Sequence, residues 1–107
     1  MGRKEVQKAV TAAGLPCCHM AWLEGQAPPL PWCVFYLDDT DGVFADNTVR
    51  TFVNRWVVEL YQKSADAALE NALEQSLLDA FGPFIKSETW VRSENCLQTA
   101  YHFTEID

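Results

Sequence analysis

The sequence predicts a single-domain α+β protein, with an antiparallel-rich mixed sheet of about five strands and two helices in the order α-β-β-β-α-β-β. Three observations lead there. The run Val49 to Tyr61 (VRTFVNRWVVELY) is dominated by β-branched and aromatic residues and holds no Gly or Pro, a strand signature. Two segments, near residues 3–13 and 64–81, carry apolar residues at helical spacing. Between the candidate elements lie clusters of Gly, Pro, Asn and Asp, the residues of turns.

Arg3 to Ala13 reads as a helix, because Val6, Ala9, Val10 and Ala13 fall on one face. Gly14 sits at the position of a helix-ending glycine and Pro16 blocks resumption. The helix is short and weakly apolar, so it must dock on the sheet to persist. Cys17 to Leu23 is a short strand candidate. Glu24 to Pro31 follows, with three prolines and a glycine in eight residues, which makes a stiff extended loop. Trp32 to Leu37 (WCVFYL) is apolar at every position, as in a strand covered on both faces.

Asp38-Asp39-Thr40-Asp41-Gly42, followed by Asp46-Asn47, is expected to be a solvated acidic turn between two strands. It is not an EF-hand: with Gly42 as the sixth loop position, the first is Leu37 and the twelfth is Thr48, so both obligatory carboxylates are missing. The segments 32–37 and 49–61 should pair as a hairpin, with Asp41 to Asn47 at its tip. At about 3.3 Å per residue the long strand spans roughly 43 Å. A compact domain of this length has a radius of gyration of only about 13 Å. The strand should therefore overhang the domain as an arm that leans on a partner. Phe52, Trp56, Val58 and Leu60 share one of its faces, and Val49, Val53, Val57 and Tyr61 the other. One face suits the helices, and the other suits a neighbouring subunit.

Ser64 is the expected cap of the second helix, with Asp66 in its first turn. Ala65, Leu69, Ala72, Leu73, Ser76, Leu77 and Ala80 make its packed face, while Glu70, Glu74 and Asp79 should point away. Gly82-Pro83 ends it. Phe84 to Arg92 and Cys96 to Ile106 are two further strands joined by Ser93-Glu94-Asn95. In the last, Leu97, Tyr101 and Phe103 alternate with Gln98, His102 and Thr104, one face buried and one wet.

Composition narrows the function. The chain has 107 residues and a net charge of −7. Residues 1–14 carry Arg3, Lys4 and Lys8 against Glu5, so this end is +2 and the remainder −9. So acidic a surface does not bind nucleic acid generally, since phosphate neutralisation drives that binding. No stretch is long and apolar enough to span a membrane, and the first residues lack the apolar core of a signal peptide. The four cysteines, Cys17, Cys18, Cys33 and Cys96, read as reduced apolar residues on the strands of a cytosolic protein. Cys17-Cys18-His19 are consecutive and so alternate between strand faces, an incomplete set for zinc. His19 and His102, the only histidines, sit on expected strands, with no glycine-rich turn or helix N-terminus to activate a cysteine. The carboxylates are scattered, and no phosphate-cradling glycine loop is present. The residues alone point to no catalytic role, no metal and no cofactor.

The order of several motifs resembles the small tail-terminator, or tail-completion, proteins of long-tailed phages and prophages. The resemblance covers nearly the whole chain. It runs from the helix ending at Gly14-Leu15-Pro16, through the loop Gly25 to Trp32 entering a strand, to Ala45-Asp46-Asn47 before the long strand and Val57-Val58-Glu59-Leu60-Tyr61 at its end. The charged leucine-rich helix and the closing Tyr101-His102-Phe103 strand follow. The chain departs from the pattern at Cys17-Cys18 and in Trp22, Trp32 and Trp90. The resemblance implies an α+β protein without catalytic residues that forms a ring, commonly a hexamer. Such a ring stops tail-tube growth and meets the head connector, so its partners are itself, the tail-tube protein and connector proteins. It would reside in the host cytoplasm and then in the virion. The interface residues expected on this reading are Arg3, Lys4 and Lys8 on one side. Opposite them is expected an acidic patch drawn from Glu70 and Glu74 or from Asp38, Asp39 and Asp41, with Asp46 in the same set, and apolar cover through Val53 and Val57 or Phe52. Two other classes remain beside it: a monomeric α+β ligand- or protein-binding module unrelated to phage, and a cysteine-dependent enzyme.

Overall fold

The computed structural model describes residues 2–45 and 48–106, without side chains over 43–45 and 48–50. Helix α1 spans Arg3–Ala12, strand β1 Cys17–His19, β2 Trp32–Ala45, β3 Thr48–Gln62, α2 Ala67–Phe81, β4 Phe84–Val91 and β5 Cys96–Ile106. The five strands form one sheet in the order β1-β2-β3-β5-β4. β1 pairs parallel with β2, Cys17 opposite Cys33, and every other pairing is antiparallel. The expected α+β class, element order and mixed sheet are all present.

β3 is the middle strand, and its two-residue period fixes the layers. Trp56, Val58 and Leu60 face the helices together with Cys33 and Phe35 of β2 and Tyr101 and Phe103 of β5. α1 presses Val6, Ala9 and Val10 into this layer, and α2 contributes Leu73 and Leu77. Val6, Val10, Leu73 and Leu77 have no accessible surface, and full burial of such a side chain stabilises by about 1.5–3 kcal/mol. The Ser76 hydroxyl donates to the Ala9 carbonyl and ties the two helices together. Gly14 ends α1 with φ 87°, its N–H bonded to the Thr11 carbonyl, a conformation that costs a side-chain-bearing residue strain.

Four expectations need correction. The first strand candidate stops at His19 rather than Leu23, because Met20 turns into a left-handed conformation at φ 72° and Leu23 is 77% exposed. The acidic segment Asp38 to Gly42 is strand, not turn. Leu37 pairs with Trp56 and Asp39 with Arg55, so Asp38 is an extra residue absorbed as a bulge. Beyond it, pairing with β3 and the charge of Arg55 outweigh local turn preference. The N-cap of α2 is Asp66, not Ser64: its side chain accepts from the Leu69 N–H at 3.1 Å. Glu70 and Glu74 do not point away from the packed side of α2, since Glu70 is buried and both engage Lys86 on β4. The expected pairing of segments 32–37 and 49–61 is present, Trp32 lying opposite Tyr61. Of its expected tip, Asp46 and Asn47 lie outside the described residues.

Candidate functional site

The β2–β3 hairpin outruns the sheet. β1 ends opposite Phe35, and β5 ends with Ile106 opposite Val53. Past those points β2 and β3 pair only with each other among the described residues. The molecule is accordingly elongated, 51 × 28 × 22 Å, with a radius of gyration of 14.9 Å against about 13 Å for a compact chain. This is the arm that strand length predicts. Two strand edges along it lack a neighbouring strand, which is how sheets recruit partners.

The arm gathers several of the expected interface residues. Arg55 reaches across to β2, one guanidinium nitrogen 2.6 Å from Asp39 and the other 2.8 Å from Asp41. Asp38 is exposed at the bulge, and Phe52 keeps 45% of its surface accessible. Val53 is half-buried where β5 ends. Val57 lies apart from them: only 1% exposed, it is covered within this chain. Asp46 is outside the described residues. Arg3, Lys4 and Lys8 are exposed on α1, where the Arg3 Nε donates to His19 Nε2 at 3.2 Å.

Glu70 and Glu74 form a separate knot. The Lys86 ammonium lies 2.9 Å from Glu70 and 2.7 Å from Glu74. Gln62 Nε2 donates to Glu70 at 2.9 Å, and the Tyr101 hydroxyl to Glu74 at 2.8 Å. Desolvation alone would push the Glu70 carboxyl up, but the hydrogen bonds from Lys86 and Gln62 and the charge of Lys86 outweigh it and hold the group below its ordinary value. Bonds to Glu74 and Glu70 raise the Lys86 ammonium. Burial first, then the bond to Glu74, raises the Tyr101 phenol.

At the base of the arm the buried Glu105 accepts from Trp56 Nε1 and Asn54 Nδ2, each at 3.2 Å, through one oxygen. Its other oxygen is buried without a hydrogen-bond partner. On the sheet face away from the helices, the Tyr36 and Tyr61 hydroxyls donate to the two oxygens of Glu59 at 3.0 and 2.9 Å. Trp32 lies tilted against the Tyr61 ring and meets Trp22 edge-on. Here the loop from Met20 bounds a cleft of about 520 Å³. Sequence reasoning did not single out Lys86, Glu105 or this aromatic cluster. Only Glu59 and Tyr61, two apart on a strand and hence on one face, carried a local signal.

Three of the four cysteines sit in surroundings that disfavour the thiolate. Cys17 and Cys33 lie opposite each other and all four thiols are free. Burial, then Cys18, pushes the Cys17 thiol up to about 12, and burial likewise raises Cys33 and Cys96. Thiols so raised hold almost no thiolate at neutral pH, the reverse of what a nucleophile needs. Among the described residues no three His, Cys, Asp or Glu side chains gather to hold a metal ion, and no helix is long and apolar enough to cross a membrane.

No protein-family model matches the chain, and no curated protein matches it.

Proposed function

We propose that this chain is a structural tail protein of a long-tailed phage or prophage that caps the tail tube and joins it to the head connector as a ring, a hexamer in the form the resemblance implies. Its site of action on this reading is the host cytoplasm and then the virion. The observation that carries the reading is the overhanging arm. An isolated two-stranded hairpin is marginally stable in water, and this one extends past the sheet with an exposed Phe52. A neighbouring subunit supplies the missing support. The arm and the surface it leans on in a neighbour are different surfaces, so contact between them is head-to-tail, the kind that closes into rings. The resemblance in motif order supports the same assignment.

The test is to shorten the arm by joining Asp41 to Val53, which lie opposite each other, through an Asn-Gly turn. The shortened chain should keep its melting transition, remain monomeric in sedimentation velocity and fail to complete tails. Rings or completed tails formed by the shortened chain would overturn the proposal. The aromatic cleft favours one other reading, a monomeric binding module unrelated to phage. A full-length chain that stays monomeric at high concentration and completes no tail would favour that one.

A further inference from the structure

We propose that the cleft on the sheet face opposite the helices is a binding site for ammonium and guanidinium side chains, and that its occupant is the basic helix α1 of a second copy of this chain. The inference rests on the reading of the chain as a self-assembling protein and names the surface through which copies meet.

The cleft has the chemistry of a cation receptor. Trp22 and Trp32 meet at 6.0 Å in an edge-to-face pair, and Trp32 lies 4.8 Å from the Tyr61 ring, centroid to centroid. The same cleft is lined by three carboxylates, Glu24, Glu59 and Glu94. Aromatic faces attract cations through their quadrupole, and a neighbouring carboxylate adds a charge partner. Glu59 is fixed in place, one oxygen taking the Tyr36 hydroxyl and the other that of Tyr61. Gln98 Nε2 in turn donates to the Tyr61 oxygen at 2.7 Å. Desolvation first, and in each case Glu59 as well, push both phenols up to about 12. They remain neutral donors at physiological pH, so the cleft's formal charge is the carboxylates' alone. The indole N–H of Trp22 is buried with no acceptor, so the cleft wall is one hydrogen bond short in the isolated chain.

Charge complementarity selects the occupant. In a chain of net charge −7, most of the surface repels another copy. Arg55 is held by Asp39 and Asp41, and Lys86 by Glu70 and Glu74. Lys63 and Arg92 are isolated exposed charges, the Arg50 side chain lies outside the described residues, and among those described only α1 groups three cations. Lys4 and Lys8 are exposed one helical turn apart, with Arg3 beside them. α1 packs on the sheet face formed by Cys33, Phe35 and Val58. The cleft residues Trp32, Val34, Glu59 and Tyr61 alternate to the other face. Helix and cleft therefore cannot meet within one molecule. Between molecules the contact is heterologous and repeats from copy to copy until a ring closes.

A charge swap tests this on the full chain. Lys4→Glu with Lys8→Glu should weaken self-association, read by sedimentation velocity, by about tenfold or more. Glu24→Lys with Glu94→Lys should do the same, and both pairs are exposed, so folding is preserved and is checked by circular dichroism. The two variants mixed should associate with each other, because each then carries one intact and one reversed surface. Trp22→Phe reports locally: it should remove most of any tryptophan emission change that accompanies association. If the wild-type chain associates and neither reversal weakens it, or the mixture shows no mutual association, the cleft assignment is overturned while the ring reading stands. A wild-type chain that completes tails yet never self-associates would overturn the second-copy assignment. One that does neither would overturn the ring reading with it.

Discussion

Replacing Lys86 with Met removes the only cation of the β4–α2 knot while keeping the unbranched stem that lies by Tyr101. Glu70, 7% exposed, then keeps its bonds from Gln62 and the Asp66 backbone N–H, and Glu74 its bond from Tyr101. A hydrogen bond to a charged group contributes about 1.5–3 kcal/mol, and a buried acceptor deprived of its partner costs about 1–3 kcal/mol. The Lys86 side chain is 32% exposed and that of Glu74 21%, so solvent recovers part of the loss, and we expect a net cost of about 2 kcal/mol. With unfolding entropy near 2.1 cal/mol/K per residue, this lowers the melting temperature by about 9 °C. The pH dependence distinguishes this mechanism from lost packing. In the wild type the Glu70 carboxyl is held below its ordinary value. Its contribution is therefore present above that value and lost as pH falls through the lowered one. Without Lys86, desolvation is opposed only by Gln62 and the Asp66 backbone N–H, so the group shifts upward from its wild-type position. Lys86→Met should therefore lose less stability than the wild type as pH falls from about 7 toward about 3. Glu70→Gln added to Lys86→Met should recover at least half of the loss at pH 7. Thermal melts followed by far-UV circular dichroism check each step. A melting temperature within 2 °C of wild type, or a double variant weaker than the single one, would refute the reasoning.

Asp66→Ala should destabilise α2 by about 1 kcal/mol, whereas Ser64→Ala should leave the urea midpoint unchanged. Equal effects at the two positions would contradict the cap seen here. Glu105→Gln keeps an acceptor for Trp56 and Asn54 and removes a buried carboxylate that no cation meets among the described residues. It should stabilise the free chain by about 1 kcal/mol at pH 7, and a lower melting temperature would count against it. Cys17 and Cys33, whose thiols burial pushes up, should resist iodoacetamide in the folded chain at pH 8, with all four cysteines alkylated in denaturant. Prompt native labelling of Cys33 would show that the layer under α1 opens readily.

Much of the fold was legible because its signals are local and redundant. The β-branched run Val49 to Tyr61 lies within β3, and Gly14 and Gly82-Pro83 end their helices where the sequence places the stops. The overhang followed from strand length against domain size. What failed depended on partners distant in sequence. Asp38 to Gly42 looks like a turn until Arg55, fourteen to sixteen residues on from Asp41 and Asp39, draws it into the ladder. Glu70 and Glu74 look solvent-facing on a helical wheel until Lys86 arrives on β4, sixteen and twelve residues away. The same holds for the candidate surfaces. The exposed α1 cations and the arm's Phe52 could be read from spacing, but the aromatic cleft could not. It exists only because the Pro-rich loop carries Trp22 back to Trp32 at the start of β2 and β3 brings Tyr61 alongside.

The sheet's two faces are covered unequally, and this bears on how copies would meet. Two helices seal one face, whereas the loop around Trp22 lies over only one end of the other. The arm projects beyond the opposite end of β3 from that loop. A neighbour would thus find two distinct patches, an extended arm and an acidic aromatic cleft, at opposite ends of the molecule. Each exposed ion pair contributes only about 0–1 kcal/mol, so one such contact cannot hold two copies together against the entropy of association, itself at least about 4 kcal/mol. In a ring every copy is held at two contacts, and a copy already seated on a tail tube meets its neighbour at a high effective concentration rather than from bulk solution. Weak pairwise contacts of this kind would leave the chain monomeric when dilute and let it close only where a template gathers enough copies, which suits a protein whose proposed task is to act once, at the end of a finished tube.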